Sequence, residues 1–201
     1  MVTLAFCVLS GAGWLARTGR SNARVTEELS TETTWVMART EGSAHLWQTQ
    51  PGDMIAALPY FRATMTHLVA LHGGTLSARQ SSCDGFAATF DRASDAVSCA
   101  LYLQLTPLDP FELCIGVHSA RTGTGRLRDI AHAGQTLISG TTASSVAGDL
   151  PAGASLKYLG DQRMGDTGAQ ERLLQLCHPG LRKYLQPLRM PNAVLAEILV
   201  N

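Results

Sequence analysis

The sequence predicts an α+β domain with a ferredoxin-like β-α-β-β-α-β core sheet, extended by additional α and β elements. The order of the first segments carries this prediction. A strand-like segment (34–40) and a helical stripe (61–72) are followed by a hairpin (75–90), a second helical stripe (91–106) and a largely apolar strand (112–120). Elements in this order form one sheet with helices on one face.

The first strand is favoured by its β-branched and aromatic residues, and it ends in a turn at residues 41–43. In the helix that follows, apolar residues recur at steps of three and four from position 61 to position 72. Pro59 suits the first position of this helix, because the amide hydrogen that proline lacks has no helical partner there. The glycine pair at 73–74 is typical of a helix end.

The hairpin has predicted strands at 75–82 and 86–90, because the Asp84–Gly85 pair between them tolerates positive φ. Small and apolar residues line one face of the second helix, over 91–106. The strand at 112–120 is apolar almost throughout, so we expect it at the centre of the sheet.

The later elements are shorter. They are a loop at 121–125, helices at 126–133 and 141–147, a strand at 135–139, and a terminal hairpin with strands at 155–160 and 172–177. We expect one domain over 33–181, preceded by an N-terminal extension and linker (1–32) and followed by a C-terminal tail (182–201).

Composition excludes several classes of protein. The 201 residues include 16 Lys and Arg against 16 Asp and Glu, and 45% of them are hydrophobic. The chain can therefore bury a core, but it lacks the basic excess of a nucleic-acid or membrane-surface binder. The apolar stretch at 2–16 is shorter than the roughly 20 residues of a membrane span. Arg17, Arg20 and Arg24, which follow this stretch, would suit the cytoplasmic flank of an anchor, but its length favours a disordered or packed N-terminal extension. Five cysteines without metal-ligand spacing favour buried or free thiols, and we expect a cytoplasmic protein.

Two features suggest chemistry. Gly42 and Ser43 follow the first strand and open a helical segment, where backbone N–H groups suit a phosphate. Asp84 lies at the tip of the hairpin, where a carboxylate could hold Mg²⁺ together with phosphate oxygens. Each feature also fits a structural role, since strand-to-helix turns often bind nothing and Asp commonly forms turns.

Five segments in the same order resemble the class III adenylate/guanylate cyclase catalytic domain of bacteria, in a variety similar to mycobacterial members. They are residues 37–48 (MARTEGSAHLWQ), 73–90, 114–120, 125–139 and 159–181. The resemblance covers about residues 34–190. It implies conversion of a nucleoside triphosphate to a 3′,5′-cyclic nucleotide and pyrophosphate. It also implies two Asp that hold two Mg²⁺ or Mn²⁺ ions, and sites shared between the two chains of a dimer.

The residues at the family's functional positions match only in part. The resemblance places the second metal-binding Asp at Asp84 and the catalytic Arg at Arg126. The first metal-binding Asp is replaced by Arg39, the base-reading Lys by Gln80, and the catalytic Asn by Thr122. A guanidinium does not ligate a cation, although Arg39 could neutralise a phosphate or pair with Asp84. Gly42 and Ser43 keep the family's phosphate-binding turn. The loop that would supply the base-reading Asp is shortened.

The resemblance therefore leaves three hypotheses. In the first, the domain is a degenerate cyclase with very low or no activity, which acts as a regulatory or dimerising, nucleotide-binding module. In the second, it is an active adenylate or guanylate cyclase in which Glu41 or another carboxylate, with Mn²⁺, replaces the missing ligand. In the third, the chain lends Arg126 to a related cyclase domain in a heterodimer. No nucleic-acid partner is expected.

Overall fold

The computed structural model describes residues 32–77, 85–120, 126–164, 169–183 and 187–189. Within them, seven strands form one mixed sheet. The strands are β1 (Thr33–Thr40), β2 (Thr75–Leu76), β3 (Gly85–Phe90), β4 (Leu113–Ala120), β5 (Thr136–Ser139), β6 (Ser155–Met164) and β7 (Ala169–Cys177). The helices are α1 (Ser43–Thr49), α2 (Pro51–Leu71), α3 (Ala93–Leu105), α4 (Arg126–Ile130) and α5 (Gly140–Ser145).

The sheet has the strand order β2-β3-β1-β4-β5-β7-β6. Strands β1 to β4 with α2 and α3 form the predicted β-α-β-β-α-β core, in which each neighbouring pair of strands is antiparallel. β4 lies between β1 and β5, which confirms its predicted central place. β5 pairs parallel with β4 and antiparallel with β7, and this addition extends the core sheet.

Alternate residues of β1 face the two sides of the sheet. Val36 and Ala38 are fully buried in the main apolar core, which α2 and α3 cover. On the other side, α4 packs against the sheet and forms a second apolar cluster. The members of this second cluster are Cys114, Leu127, Ile130, Ala131, Leu137 and Leu173. In the β-α-β-β-α-β core, α2 and α3 therefore lie on one face, as predicted, and the additional helix α4 lies on the opposite face.

Gly116 explains how α4 comes so close to the sheet. A Cβ atom at this position of β4 would lie 2.5 Å from the Cβ of Leu127 and 2.7 Å from the backbone nitrogen of Arg128. Real Cβ atoms do not approach other atoms this closely. Glycine at position 116 therefore lets the backbone of α4 lie directly on the sheet, beside the end of β1.

Helix α2 begins earlier than the apolar stripe predicts. Pro51 occupies its first turn, and Pro59, which was expected to open the helix, lies inside it. A proline is tolerated in the first turn because it has no amide hydrogen, and the amides of the first turn have no intrahelical partner to lose. α2 has the length and mean hydropathy of a membrane span, but Met54, Phe61, Met65 and Val69 are buried in the main core. These contacts are those of a helix that packs on its own sheet.

The other predicted elements are confirmed with small shifts at their ends. The hairpin at 75–90 forms through the pairs Thr75 with Thr89 and Leu76 with Ala88, while its predicted tip lies outside the described residues. The terminal hairpin is longer than predicted, and a register shift lies between Tyr158 and Gly160. The N-terminal extension also lies outside the described residues, so the division into extension, domain and tail remains a prediction.

Candidate functional site

The candidate site lies at the end of β1, where this strand is flanked by β3 and β4. Arg39 is paired with Gly85 on one side and with Cys114 on the other. The strand then turns through Glu41 and Gly42 into α1. Gly42 has φ 62°, in the left-handed region that favours glycine.

Arg39 points away from the main core and contacts the end of α4. Its Nε donates to the carbonyl oxygen of Arg128 at 3.2 Å, and one terminal nitrogen donates to the carbonyl oxygen of Ala131 at 3.3 Å. The last carbonyl groups of a helix have no intrahelical partner, and they carry partial negative charge. A guanidinium placed there satisfies them and complements that charge. Arg39 therefore joins β1 to α4.

The same guanidinium contacts Glu41, two residues further on, with 3.4 Å between its terminal nitrogen and Oε2. Oε2 also accepts a hydrogen bond from the guanidinium of Arg189 and one from the thiol of Cys114, the latter at 3.2 Å. The backbone N–H of Glu41 donates to the carbonyl oxygen of Glu112 at 2.8 Å. One carboxylate thus connects β1, β4 and the C-terminal segment 187–189.

The pKa values of this cluster follow from its contacts. Partial burial alone would raise the pKa of Glu41, but the hydrogen bonds from Cys114 and Arg189 and the charges of Arg39 and Arg189 outweigh it and lower the pKa. Burial raises the pKa of Cys114 to about 12, and its hydrogen bond to Glu41 acts in the same direction. At neutral pH the cluster therefore holds an ionised carboxylate and a protonated thiol.

Three of the residues predicted from sequence lie together in the structure. Arg39, Gly42 and Ser43 lie within one short stretch of chain, at the junction of β1 and α1. Arg126 is the first residue of α4, the helix whose last carbonyl groups accept from Arg39. α1 has only seven residues, and its first turn receives no side-chain cap.

The remaining predicted site residues lie outside the described residues. They are Gln80 and Asp84, in the segment between β2 and β3, and Thr122, in the segment between β4 and α4. Gly85, which follows Asp84 in the sequence, is described and is paired with Arg39. A Cβ atom on Gly85 would lie 2.2 Å from the carbonyl oxygen of Ala38, so only glycine fits there.

The described residues at this position do not fit a divalent metal ion. Where two carboxylates would be needed, the guanidinium of Arg39 is directed at helix carbonyls, and Oε2 of Glu41 accepts from two guanidiniums and a thiol. Mg²⁺ and Mn²⁺ need carboxylate and other oxygen ligands, and two adjacent cations would repel them. Among the residues that the structure describes, no group of three or more His, Cys, Asp or Glu side chains could hold a metal.

Two participants in this cluster were not predicted from sequence. Arg189 falls in the segment assigned to a C-terminal tail, and Cys114 was expected only as a free, structural thiol. Cys99, Cys114 and Cys177 are indeed free, as predicted, and the first two are buried. The sequence does place a lone Arg between Leu188 and Met190, but no periodic pattern there indicates what it contacts.

Comparisons with known proteins give both sequence relatives and structural neighbours. No family model matches the chain. It is 36% identical over 212 aligned positions to the uncharacterized protein Rv1359 of Mycobacterium tuberculosis, covering 94% of this chain and 82% of that protein. It is 38% identical over 179 residues to the uncharacterized protein Rv0891c of the same organism, covering 83% of this chain. The chain spans 63% of the length of Rv0891c.

Solved structures of nucleotide cyclases share the fold. An adenylate cyclase of Trypanosoma brucei in its monomeric state matches with a TM-score of 0.68 at 18% identity, over 84% of this chain and 99% of that chain. The adenylyl cyclase CyaB of P. aeruginosa matches with a TM-score of 0.61 at 16% identity, over 77% and 97%. The guanylate cyclase domain of RhGC from Catenaria anguillulae, solved with GTP, matches with a TM-score of 0.60 at 16% identity, over 74% and 97%.

Proposed function

The chain belongs to the same family as the mycobacterial protein Rv1359 and has the fold of class III nucleotide cyclase catalytic domains, and we propose that it is a degenerate cyclase domain. It makes little or no cyclic nucleotide. It acts instead in the cytoplasm as a regulatory or dimerising module that binds a nucleoside triphosphate weakly.

The observation that carries this proposal is the environment of Arg39. This residue stands where the resemblance expects the first metal-binding Asp, and its guanidinium is engaged by the carbonyl oxygens of Arg128 and Ala131 and by Glu41. A side chain with these contacts acts as a structural link. It also brings a positive charge to the position where the family's chemistry needs a cation ligand.

The expected loss of rate is large. Preorganised electrostatic groups at an active site each contribute about 10²- to 10³-fold to the rate. In this chain Arg39, Gln80 and Thr122 replace three such groups, according to the resemblance. Glu41 is a poor substitute ligand, since its Oε2 already accepts from Arg189 and Cys114 and the guanidiniums of Arg39 and Arg189 beside it would repel a cation.

Weak nucleotide binding is supported by the residues that still match the family at its functional positions. Gly42 and Ser43 retain the turn that the resemblance assigns to phosphate, and Asp84 and Arg126 retain the expected residue types. Arg126 also keeps open the third hypothesis, in which the domain completes a site of a related cyclase domain in a heterodimer.

The decisive experiment measures cyclic nucleotide from the purified chain with ATP or GTP and with Mg²⁺ or Mn²⁺. Three proteins are compared: the wild type, Arg39→Asp, and Arg163→Asp as a matched control on the exposed face of β6. We expect little or no product from the wild type and the control. Sustained turnover by the wild type with either metal would overturn the proposal and favour an active cyclase.

Binding and assembly are measured on the same proteins. Calorimetry with ATP and GTP tests the nucleotide-binding part of the proposal, and light scattering with and without triphosphate tests the dimer. Weak binding with a dimer present fits a regulatory module. A monomer that binds no triphosphate at any concentration tested would contradict it.

A further inference from the structure

A short C-terminal segment, residues 187–189, lies on α4 and reaches the candidate site. The backbone N–H of Arg189 donates to the carbonyl oxygen of Ile130 at 3.0 Å, and the carbonyl oxygen of Pro187 lies 2.8 Å from Nε2 of His132. Leu188 packs against the second apolar cluster. We call residues 187–189 the C-terminal strap.

We propose that the C-terminal strap holds Glu41, and with it the turn from β1 into α1, so that the C-terminal part of the chain and this turn are conformationally coupled. The described strap residues reach the turn through the ion pair between the guanidinium of Arg189 and Oε2 of Glu41. This inference goes beyond the proposed function and does not depend on nucleotide binding.

The strap supplies one of the positive charges that hold the Glu41 carboxylate in the turn. Within the described part of the chain, the cations at its carboxylate are Arg39, at 3.4 Å, and Arg189, which is closer. Arg39 is also committed to the carbonyl groups at the end of α4. If the strap leaves, Glu41 loses its closer cation and remains partly buried beside the neutral thiol of Cys114.

Loss of the ion pair between Arg189 and Glu41 is expected to affect the turn into α1, because of where Glu41 lies in the chain. Glu41 is the last residue before Gly42, whose carbonyl oxygen accepts from the N–H of Leu46 at 3.0 Å in the first turn of α1. A carboxylate that has lost its closer cation is held less firmly, by Arg39 and Cys114 alone among the described residues, and the Gly42 backbone can then sample other conformations more readily, since glycine has few steric limits. Loosening is therefore expected at residues 41–47, which the strap reaches through the side chain of Glu41.

The strap is suited to reversible release. The side chains of Arg189 and Glu41 are 34% and 29% exposed, so water and salt screen their attraction. Within the described part of the chain, the strap is otherwise held by the hydrogen bonds to Ile130 and His132 and by the packing of Leu188. Segments with few buried contacts open at low free-energy cost without unfolding the domain.

Hydrogen–deuterium exchange on the full, unliganded chain tests the coupling. The variants are Arg189→Gln, which removes the ion pair, and Leu188→Ala, which weakens strap docking without touching Glu41. Arg92→Gln is the matched control, since it removes an exposed ion pair with Asp149 that lies away from the strap. Peptides that cover 187–189 and 41–47 are followed separately.

Both strap variants should raise exchange about two- to fivefold in the strap and in residues 41–47, while the control leaves both unchanged. Faster exchange in the strap with unchanged exchange at 41–47 would overturn the coupling. Exchange of the strap at the free-peptide rate in the wild type would show that the strap is not docked, and would also overturn the proposal. Cyclase turnover, the result that defeats the proposed function, changes none of these readouts.

Discussion

The guanidinium of Arg39 closes the C-terminal end of α4 through a hydrogen bond from its Nε to the carbonyl oxygen of Arg128, at 3.2 Å. The two residues lie on different elements, and 89 positions separate them in sequence. A carboxylate at position 39 could not make this contact, because it has no hydrogen to donate and its charge would repel the carbonyl oxygen. The residue at the position where the resemblance expects a metal-binding Asp is therefore one that joins β1 to α4.

The first prediction concerns this stabilisation. Arg39→Met should lower the free energy of unfolding by about 1–2 kcal/mol, because it removes charge-assisted hydrogen bonds from partly buried carbonyl groups. Urea unfolding at neutral pH measures the change. Arg163→Met, on the exposed face of β6, should change it by less than about 0.5 kcal/mol. Equal losses in the two variants would show that the contacts to α4 contribute nothing.

The second prediction concerns pH. The folded-state pKa of Glu41 is lowered from its ordinary value of 4.5, so its ionisation contributes stability above about pH 4.5, and this contribution is lost as pH falls through the folded pKa. Gln cannot ionise. The stability difference between wild type and Glu41→Gln should therefore be largest at neutral pH and should shrink below pH 4.5.

Urea unfolding at a series of pH values from neutral to acidic checks this dependence. Asp91→Asn, at an exposed carboxylate before α3, serves as the control variant. A stability difference for Glu41→Gln that stays constant, or grows on acidification, would contradict the ion pairs described at Glu41.

The third prediction concerns the packing of α4. Gly116→Ala should destabilise the protein by about 2–4 kcal/mol, because the added Cβ would overlap Leu127 and the backbone of Arg128. Thermal or urea unfolding measures the loss. Gly148→Ala is the matched control, since nothing lies within 4 Å of a Cβ at that position. A tolerated Gly116→Ala would mean that α4 does not rest on the sheet.

The fourth prediction concerns thiol reactivity. Burial raises the pKa of Cys99 and of Cys114 to about 12, whereas Cys177 is only partly buried. Only thiolates are alkylated at a useful rate, and at pH 8 a thiol with a pKa of about 12 is ionised in roughly one molecule in 10⁴. Iodoacetamide should therefore label Cys177 in the native protein, and Cys99 and Cys114 only after denaturation.

Peptide-resolved mass spectrometry distinguishes these cysteines. Labelling of Cys114 in the native protein at a rate similar to that of Cys177 would show that β4 is accessible, contrary to the fold. The same assay serves as a folding control for Arg39→Met. If Cys114 stays unlabelled in that variant under native conditions, the variant is folded, and its free energy of unfolding can be compared with that of the wild type.

Much of the fold could be predicted because its signals are local. The β-branched residues of β1, the stripe from Phe61 to Val69 and the glycines that end α2 each act on neighbouring residues in the chain. The order of the segments then limits the sheet to few topologies, and the core has the predicted β-α-β-β-α-β arrangement with β4 in the middle of the sheet. The start of α2 could not be predicted, because Pro51 and Pro59 both carry the signal of a first-turn proline.

The sequence by itself showed that an arginine stands where the resemblance expects a metal-binding Asp. It also determined the order of strands and helices, which is that of a ferredoxin-like core. Only the tertiary structure decided that α4 lies on the second face of the sheet, that Arg39 closes its end, and that Arg189 reaches Glu41 across 148 positions of sequence. The physical reason is that periodic patterns report which face of an element is apolar, whereas an ion pair between distant residues depends on how the whole chain packs.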